Sequence, residues 1–197
     1  KSKDASIKIS NLDKEIIKNS VVQVESTDID ISITNGNCSF LIAGTINAVS
    51  SKKSVIHSCP DEIYKVKKPW GHELWINGKH PNYALKQIFI TQGHKTSLQY
   101  HNFKKETNVM FEGIANLHFQ KNIETVSYLD ASLGDINSVE LKYVSSVDVD
   151  PLTIHRIEAV SDILLYEVST PHLDDVIRIS DDTNRVDGFI SKEHEKK

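Results

Sequence analysis

The sequence predicts a mainly β protein, built as a sandwich or barrel of many short strands. Its apolar runs are short, alternate with polar residues and end at Gly, Asn, Asp or Pro, which is typical of strands. Helical periodicity is scarce, and residues 11–18 are the one N-terminal stretch that favours a short helix. Eight or nine strands at such spacing suit a closed or double-layered β architecture.

A hairpin is predicted near the N-terminus. Ile29, Ile31 and Ile33 alternate with polar residues and are followed by Asn35-Gly36, a dipeptide that favours a tight two-residue turn. An apolar run over 38–43 then returns. These features predict two paired strands in the first third of the chain.

A change in composition near residues 58–68 divides the chain. Cys59-Pro60 and the basic run 65–68 precede Pro69-Trp70-Gly71, and strand-like segments follow in close succession. We predict an N-terminal extension with a β-hairpin over 1–62, a β domain over 63–190 and a solvated C-terminal tail over 191–197. The strands predicted after the division are 73–76, 83–91, 96–100, 107–112, 115–120, 125–129, 138–144, 152–157 and 162–168.

Composition excludes several classes of function. The 197 residues carry a formal net charge of −4, which disfavours a nucleic-acid-binding surface. No apolar run approaches the roughly 20 residues that span a bilayer, and residues 1–10 lack the apolar stretch of a signal peptide. Cys38 and Cys59 have no CxxC spacing and are interpreted as reduced thiols. We therefore expect a cytoplasmic protein without nucleic-acid or membrane partners; Lys1 is not an initiator Met, so further residues can precede it.

One segment carries most of the chemical information. Gln99 and His101 are two residues apart, so on a strand their side chains leave the same face. Glu106 follows after a predicted turn and can point back to that face. Gly93 and Gly113 flank the segment, where turns favour a residue without a Cβ.

A fourth polar residue, His155, lies in a later strand after Asp150-Pro151. Two imidazoles, one carboxylate and one amide oxygen form a reasonable ligand set for zinc, manganese or ferrous iron. The sequence thus predicts one divalent metal, most simply zinc, held by the residues Gln99, His101, Glu106 and His155.

The order Gly93, Gln99, His101, Glu106 and Gly113, with the later His155, resembles the two-part signature of the cupin superfamily. That resemblance implies a cupin fold, a double-stranded β-helix or jelly-roll barrel. Gln99 stands where the signature has its first His, as in the phosphomannose isomerases, and the chain is especially similar to the cupin domain of bifunctional phosphomannose isomerase/mannose-1-phosphate guanylyltransferases.

Further segments extend the resemblance over about 64–185. They are Lys68-Pro69-Trp70-Gly71, His155-Arg156-Ile157-Glu158 and the closing stretch 167–182. Departures from the family pattern are Asn102, Phe103, Thr107 and Asn108. These positions surround the substrate side of the expected pocket, so they put the identity of the substrate in doubt more than metal binding.

The resemblance implies a metal-dependent isomerase that interconverts an aldose and a ketose, as mannose-6-phosphate isomerase does, in carbohydrate precursor metabolism. Its expected partner is a phosphorylated sugar or sugar nucleotide. Lys86 either extends outward from its strand or points into the cup, where it can bind a phosphate or carboxylate; we assign Lys86 and Arg156 as candidate catalytic residues. The general base is left open among Lys86, Glu112 and a residue near His155.

Two other functions fit the same residues. Two His and one carboxylate also suit ferrous iron and oxygen chemistry, although Gln99 as a fourth ligand disfavours it. The altered pocket residues fit a non-catalytic module that binds a sugar or sugar nucleotide. The predicted N-terminal hairpin offers sheet edges that need covering, so we also expect a homodimer.

Overall fold

The computed structural model describes residues 6–9, 21–25, 31–35, 41, 54–58, 62–120 and 136–194. The chain divides into two units, Lys1–Tyr64 and Lys65–Lys197. Within the described residues, no helix reaches the length and hydrophobicity that crossing a membrane requires. The predicted helix over 11–18, the predicted strand over 125–129, both cysteines and all of the returning hairpin run except Leu41 lie outside the described residues.

The described part of the N-terminal unit consists mainly of two pairs of antiparallel strands. The four strands are β1 (Ser6–Ile9), β2 (Val21–Glu25), β3 (Ile31–Asn35) and β4 (Ser54–Ser58). In the first pair β3 lies beside β1, and in the second β2 lies beside β4. The strand predicted before Asn35-Gly36 is therefore present, and the partner that the structure describes for it is β1.

In the described residues of the second unit, 65–120 and 136–194, eleven strands form two antiparallel sheets. They are β5 (Tyr64–Lys68), β6 (Gly71–Asn77), β7 (Ala84–Ile90), β8 (Leu98–Tyr100), β9 (Glu106–Glu112), β10 (Ala115–Gln120), β11 (Asn137–Leu141), β12 (Ser146–Val149), β13 (Ile154–Ala159), β14 (Ile163–Ser169) and β15 (Ile177–Ser180). One sheet has the order β12-β9-β14-β7-β6-β5, and the other has the order β11-β10-β13-β8-β15.

The strand order identifies the fold as a jelly roll. From β7 to β14 the chain passes back and forth between the two sheets, and β10 and β11 are the one consecutive pair that stays in the same sheet. This gives two four-stranded sheets, β12-β9-β14-β7 and β11-β10-β13-β8, which is the arrangement of the jelly rolls and cupins. The predicted fold class is confirmed. Strands β5, β12 and β15 were not among those predicted from the sequence.

The inward faces of the strands change from apolar to polar along their length. On β7 the inward residues run from Ile90 through Ile88 to Lys86, and on β9 they run from Met110 to Glu106. β13 and β14 show the same gradient, which ends at His155 on β13. One end of the barrel therefore holds the hydrophobic core, and the other end is a buried polar chamber. The apolar core contains Trp70, Ile88, Ile90, Met110, Ala115, Leu117, Leu141, Ile157, Ala159, Ile163 and Leu165.

Two glycines of the sequence motif allow a direct test of the barrel's turns. Gly93 and Gly113 both have positive φ, 76° and 85°. A Cβ on Gly113 would lie 2.2 Å from the carbonyl oxygen of Asp162, whereas a Cβ on Gly93 would meet no atom within 4 Å. We expect Gly93→Ala to lower the free energy of unfolding by about 1–2 kcal/mol, the cost of a left-handed residue, and Gly113→Ala to lower it by more. Urea denaturation checks this, and equal losses would contradict the predicted clash.

A candidate metal centre in the polar chamber

Three potential metal ligands converge in the polar chamber from both sheets. His101 follows β8, His155 lies in β13, and Glu106 begins β9 in the opposite sheet. The His155 Nε2 lies 3.3 Å from Glu106 Oε1, and the His101 Nε2 lies 3.5 Å from Glu106 Oε2. All three side chains are buried, and their ligand atoms lie within 4.8 Å of one another.

Backbone carbonyls fix the orientation of both imidazoles. His155 Nδ1 donates to the carbonyl of Thr153 at 2.9 Å, and His101 Nδ1 donates to the carbonyl of Asp175. Because a carbonyl can only accept, each Nδ1 carries a proton, and in the neutral form of the ring the Nε2 lone pair faces the chamber. Among the described residues neither buried Nε2 has a hydrogen-bond partner. The hydrogen bond that each Nδ1 donates to a backbone carbonyl is the usual support of a histidine whose Nε2 binds a metal.

The three convergent atoms fit a divalent cation. Two lone pairs and a carboxylate are all acceptors, so they need a positive partner between them. Ligands about 2.0–2.1 Å from a tetrahedral zinc ion lie about 3.3 Å from each other. The separations of 3.3 and 3.5 Å between Glu106 and the two histidines match that spacing. Zinc, manganese and ferrous iron all accept this donor set.

Gln99, the fourth predicted ligand, lines the same cavity. It lies directly opposite His155 in the pairing of β8 with β13, which places both side chains on the same face of the sheet. Its Oε1 accepts a hydrogen bond of 2.6 Å from the Ser97 hydroxyl. A carbonyl-type oxygen has two lone pairs, so this bond leaves one of them for an ion. Ligation by Gln99 stays a prediction.

Lys104 is a buried member of the chamber that sequence reasoning missed. Its Nζ lies 2.5 Å from Glu106 Oε2 and 2.8 Å from Glu167 Oε1. Burial alone would lower the pKa of Lys104, but the two carboxylates outweigh it and raise the pKa. Burial likewise favours a higher pKa for Glu106, and Lys104 instead holds it well below the usual value. Glu106 is therefore ionised, as a metal ligand must be.

Lys86 points into the chamber, so the alternative of an outward extension is wrong. Its Nζ lies 3.7 Å from Glu167 and 3.9 Å from Glu73, and 5.0 Å from the centre of the Trp75 ring. Burial would raise the pKa of Glu73, but Lys86 and Lys68 outweigh it and lower the pKa to about 2. Glu73 and Glu167 are acidic residues of the chamber that sequence reasoning missed. The alternation Ile163, Leu165, Glu167 along β14 was the available signal for Glu167.

Arg156, the other predicted catalytic residue, lies outside the chamber. It follows His155 directly in β13, and successive side chains of a strand point to opposite faces. Its Nε donates to the carbonyl of Thr96 at 3.0 Å, and its Nη2 lies 3.4 Å from Asp182. The structure therefore does not bring Arg156 to the metal centre. The described contacts of Arg156 are structural, and a catalytic role for it stays a prediction that this placement does not support.

Asp175 organises the turn that joins His101 to Glu106. Its carboxylate accepts the backbone N–H groups of Asn102, Phe103 and Lys104 at 3.0, 2.6 and 2.9 Å, while its carbonyl accepts from His101. These bonds lower the pKa of Asp175 against the opposing effect of burial. One residue thus positions both a metal ligand and the backbone of Lys104.

The C-terminal residues complete the cavity wall. The sequence predicted a solvated tail from residue 191, but the side chain of Glu193 is 11% exposed and lies 2.6 Å from the Lys68 Nζ. His194 stacks on Phe189 with ring centres 4.2 Å apart and meets the Trp75 ring edge-on. Ser191 and Lys192 are exposed, as the predicted tail would have them, whereas Glu193 and His194 pack against the cavity because Lys68 and the rings of Phe189 and Trp75 face them.

The cavity has a volume of about 90 Å³ and is strongly charged. Five basic and four acidic side chains line it, namely Lys68, Lys86, Lys104, Arg178 and Arg185, and Glu73, Glu106, Glu167 and Glu193. The lining therefore has one more basic than acidic group, and a bound divalent ion would increase that positive excess to three.

Comparison with known proteins gives likenesses of fold. No family model and no curated protein matches the sequence. Among solved structures, the capsular polysaccharide assembling protein CapF from Staphylococcus aureus aligns with a TM-score of 0.49 and 13% identity over 58% of this chain and 31% of its own. This chain thus spans about a third of CapF.

Two smaller proteins align over most of their own length. KdgF from Halomonas sp. has a TM-score of 0.46 and 13% identity, covering 59% of this chain and 95% of KdgF. A cupin superfamily protein from Desulfitobacterium hafniense has a TM-score of 0.39 and 11% identity, covering 50% of this chain and 74% of its own. The fold assignment rests on the strand order described above and not on these scores.

Metal binding has a direct test. Protein purified without a polyhistidine tag is expected to take up one divalent ion per chain, and His101→Ala is expected to abolish uptake. Asp175→Ala keeps the carbonyl that binds His101 but removes the carboxylate that holds the turn over 102–104, and is expected to weaken affinity by about tenfold. Arg156→Gln, which changes the opposite face of β13, is the matched control and should bind normally. Elemental analysis and competition with a chromogenic chelator measure this; a folded wild type that takes up no ion would contradict the site.

The low pKa of Glu73 predicts a window of acid sensitivity. The folded pKa of about 2 lies below the ordinary value of 4.5, so the ionised carboxylate stabilises the fold above pH 4.5. That contribution is lost as the pH falls from 4.5 towards 2. Urea denaturation at a series of pH values should show that the free energy of unfolding falls less steeply over this window for Glu73→Gln than for the wild type. The same pH dependence of the free energy of unfolding in both proteins would contradict the low pKa of Glu73.

Proposed function

We propose that the chain is a metal-dependent isomerase that interconverts the aldose and ketose forms of a small phosphorylated sugar, in the manner of mannose-6-phosphate isomerase. The observation that carries this proposal is one cavity lined by two residues of the metal triad and by buried, paired acid and base groups. Glu106, His155, Glu167 and Lys86 line that cavity, and His101 lies 3.5 Å from Glu106. Isomerisation needs both elements in one place.

His101, Glu106 and His155 would hold the ion, with Gln99 as the proposed fourth ligand. A bound divalent ion supplies Lewis acidity, which polarises a carbonyl and makes the neighbouring carbon more acidic. The residues of the chain do the remaining work. Lys104 holds Glu106 and Glu167 in place through contacts of 2.5 and 2.8 Å, so that the two carboxylates keep separate positions in the chamber.

Glu167 is the proposed general base. Its carboxylate is buried and lies between two ammonium groups, Lys104 at 2.8 Å and Lys86 at 3.7 Å. It would accept the proton from the carbon beside the carbonyl and deliver it to the carbonyl carbon. Lys86 would give a proton to the carbonyl oxygen and take one back from the neighbouring hydroxyl, so that the two transfers balance. Glu112, considered from the sequence, lies six residues along β9 from Glu106, about 20 Å away, and is not a candidate.

Charge and volume constrain the substrate. The positive excess of the lining favours an anion, such as a phosphorylated sugar. A volume of about 90 Å³ accommodates an ion and a few water molecules, whereas ligand sites commonly measure about 300–1,000 Å³. A phosphorylated sugar would therefore need part of the cavity wall to move.

Turnover of hexose and pentose phosphates tests the proposal. Protein loaded with zinc or manganese is mixed with each sugar phosphate in deuterated water, and NMR follows both isomerisation and deuterium exchange at the acidic carbon. Glu167→Gln is expected to reduce turnover by at least ~100-fold, as loss of a general base does, while it keeps the metal. Arg156→Gln should behave as the wild type.

A full metal site without turnover of any of these substrates would contradict the proposed activity. Binding of a sugar or sugar nucleotide without conversion would instead favour the non-catalytic module considered from the sequence. Calorimetry on the same samples distinguishes these outcomes.

One observation favours a second candidate, ferrous-iron oxygen chemistry. The Oε1 of Gln99 already accepts the Ser97 hydroxyl at 2.6 Å. If this bond keeps Gln99 away from the ion, two histidines and one carboxylate remain, the donor set of many non-haem iron oxygenases. Oxygen uptake by anaerobically iron-loaded protein, with zinc-loaded protein as the control, separates this candidate from isomerisation.

A further inference from the structure

Two largely buried cations converge on one carboxylate at the C-terminal wall of the cavity. Lys68 Nζ lies 2.6 Å from Glu193 Oε2, and Arg185 Nη1 lies 3.3 Å from Glu193 Oε1. The side chains of Lys68, Arg185 and Glu193 are 9%, 10% and 11% exposed. Each cation therefore contacts a different oxygen of the same anion, away from bulk water.

Other carboxylates hold these two cations in place independently of Glu193. Asp181 accepts from Nε and Nη2 of Arg185 at 3.0 and 2.6 Å, which leaves Nη1 for an anion. Glu73 lies 3.6 Å from Lys68 Nζ. The cationic pair thus keeps its orientation when Glu193 leaves. Arg178 lines the same cavity, and within the described part of the chain its buried Nε has no hydrogen-bond partner.

The segment that carries Glu193 is weakly anchored. Ser191–Glu193 is a three-residue 3-10 turn with no buried residue and no side-chain cap. Its side-chain contacts include the two ion pairs of Glu193 and the ring contacts of His194 with Phe189 and Trp75. A competing anion of higher charge can replace Glu193 in the two ion pairs.

We propose that Lys68 and Arg185 form a binding subsite for a phosphoryl group, which Glu193 occupies until a ligand displaces it. A phosphoryl dianion carries more charge than a carboxylate and offers three acceptor oxygens to the cations. Its entry would move the turn over 191–193 aside and enlarge a cavity too small for a sugar phosphate. The subsite deepens the proposed function, on which it rests for the identity of a phosphorylated substrate.

Binding of inorganic phosphate to the full chain tests the subsite. Calorimetric titrations are made in EDTA, so that phosphate cannot bind an ion at the metal centre and turnover plays no part. Glu193→Gln keeps the shape of the side chain but removes the competing charge. If Glu193 fills the subsite in about nine of ten molecules, this variant binds phosphate about tenfold more tightly than the wild type. Lys68→Met is expected to weaken binding by at least about tenfold.

Glu140→Gln is the matched control, because it removes the same charge from an exposed strand whose ion pair with Lys142 spans 4.0 Å. Its phosphate affinity should equal that of the wild type. Tryptophan fluorescence gives a second readout, since His194 lies 5.0 Å from the Trp75 ring; phosphate should change the wild-type emission as the turn moves.

Equal phosphate affinities for Glu193→Gln and Glu140→Gln would overturn the proposal. So would a folded Lys68→Met variant that binds phosphate as the wild type does. If Lys68→Met does not fold, Glu193→Gln still decides, because that substitution keeps the shape of the side chain. Tighter phosphate binding in Glu193→Gln without sugar-phosphate turnover would support the subsite and would contradict only the proposed isomerase activity.

Discussion

The architecture of the site depends on two hydrogen bonds from imidazole to backbone. By donating Nδ1 to the carbonyls of Thr153 and Asp175, His155 and His101 each direct an Nε2 lone pair towards Glu106. Free rings would turn to find a donor, because a buried acceptor without a partner is costly. Fixed in this way, three acceptors face one point, and the surrounding cations and carboxylates are arranged around them.

Much of this centre was predictable because it follows from local spacing. Gln99 and His101 lie two residues apart, and Glu106 follows within one turn, so a β interpretation already brings them towards one face. The same rule could have excluded Arg156, which follows the buried His155 directly. Resemblance to a family motif favoured Arg156, whereas strand alternation placed it outside.

The remaining polar residues could not be found from spacing because they depend on pairing between distant strands. Glu167 faces Lys86 through the register of β14 with β7, and Lys104 reaches Glu167 across some sixty residues of sequence. The inward position of Glu193 depends on two cations from other segments. Such contacts come from tertiary structure, and a charged terminal run considered alone favours solvent.

The distribution of the ligands over two sheets has a mechanical consequence. His155 belongs to the five-stranded sheet and His101 directly follows its strand β8, whereas Glu106 belongs to the six-stranded sheet. An ion held by all three would link the two sheets at the polar end of the barrel, where the sheets share few apolar contacts. Since such an ion binds the folded chain and not the unfolded one, it adds to stability by mass action. Metal coordination would then hold the two sheets together at the polar end of the jelly roll, whereas hydrophobic packing holds them together at the apolar end.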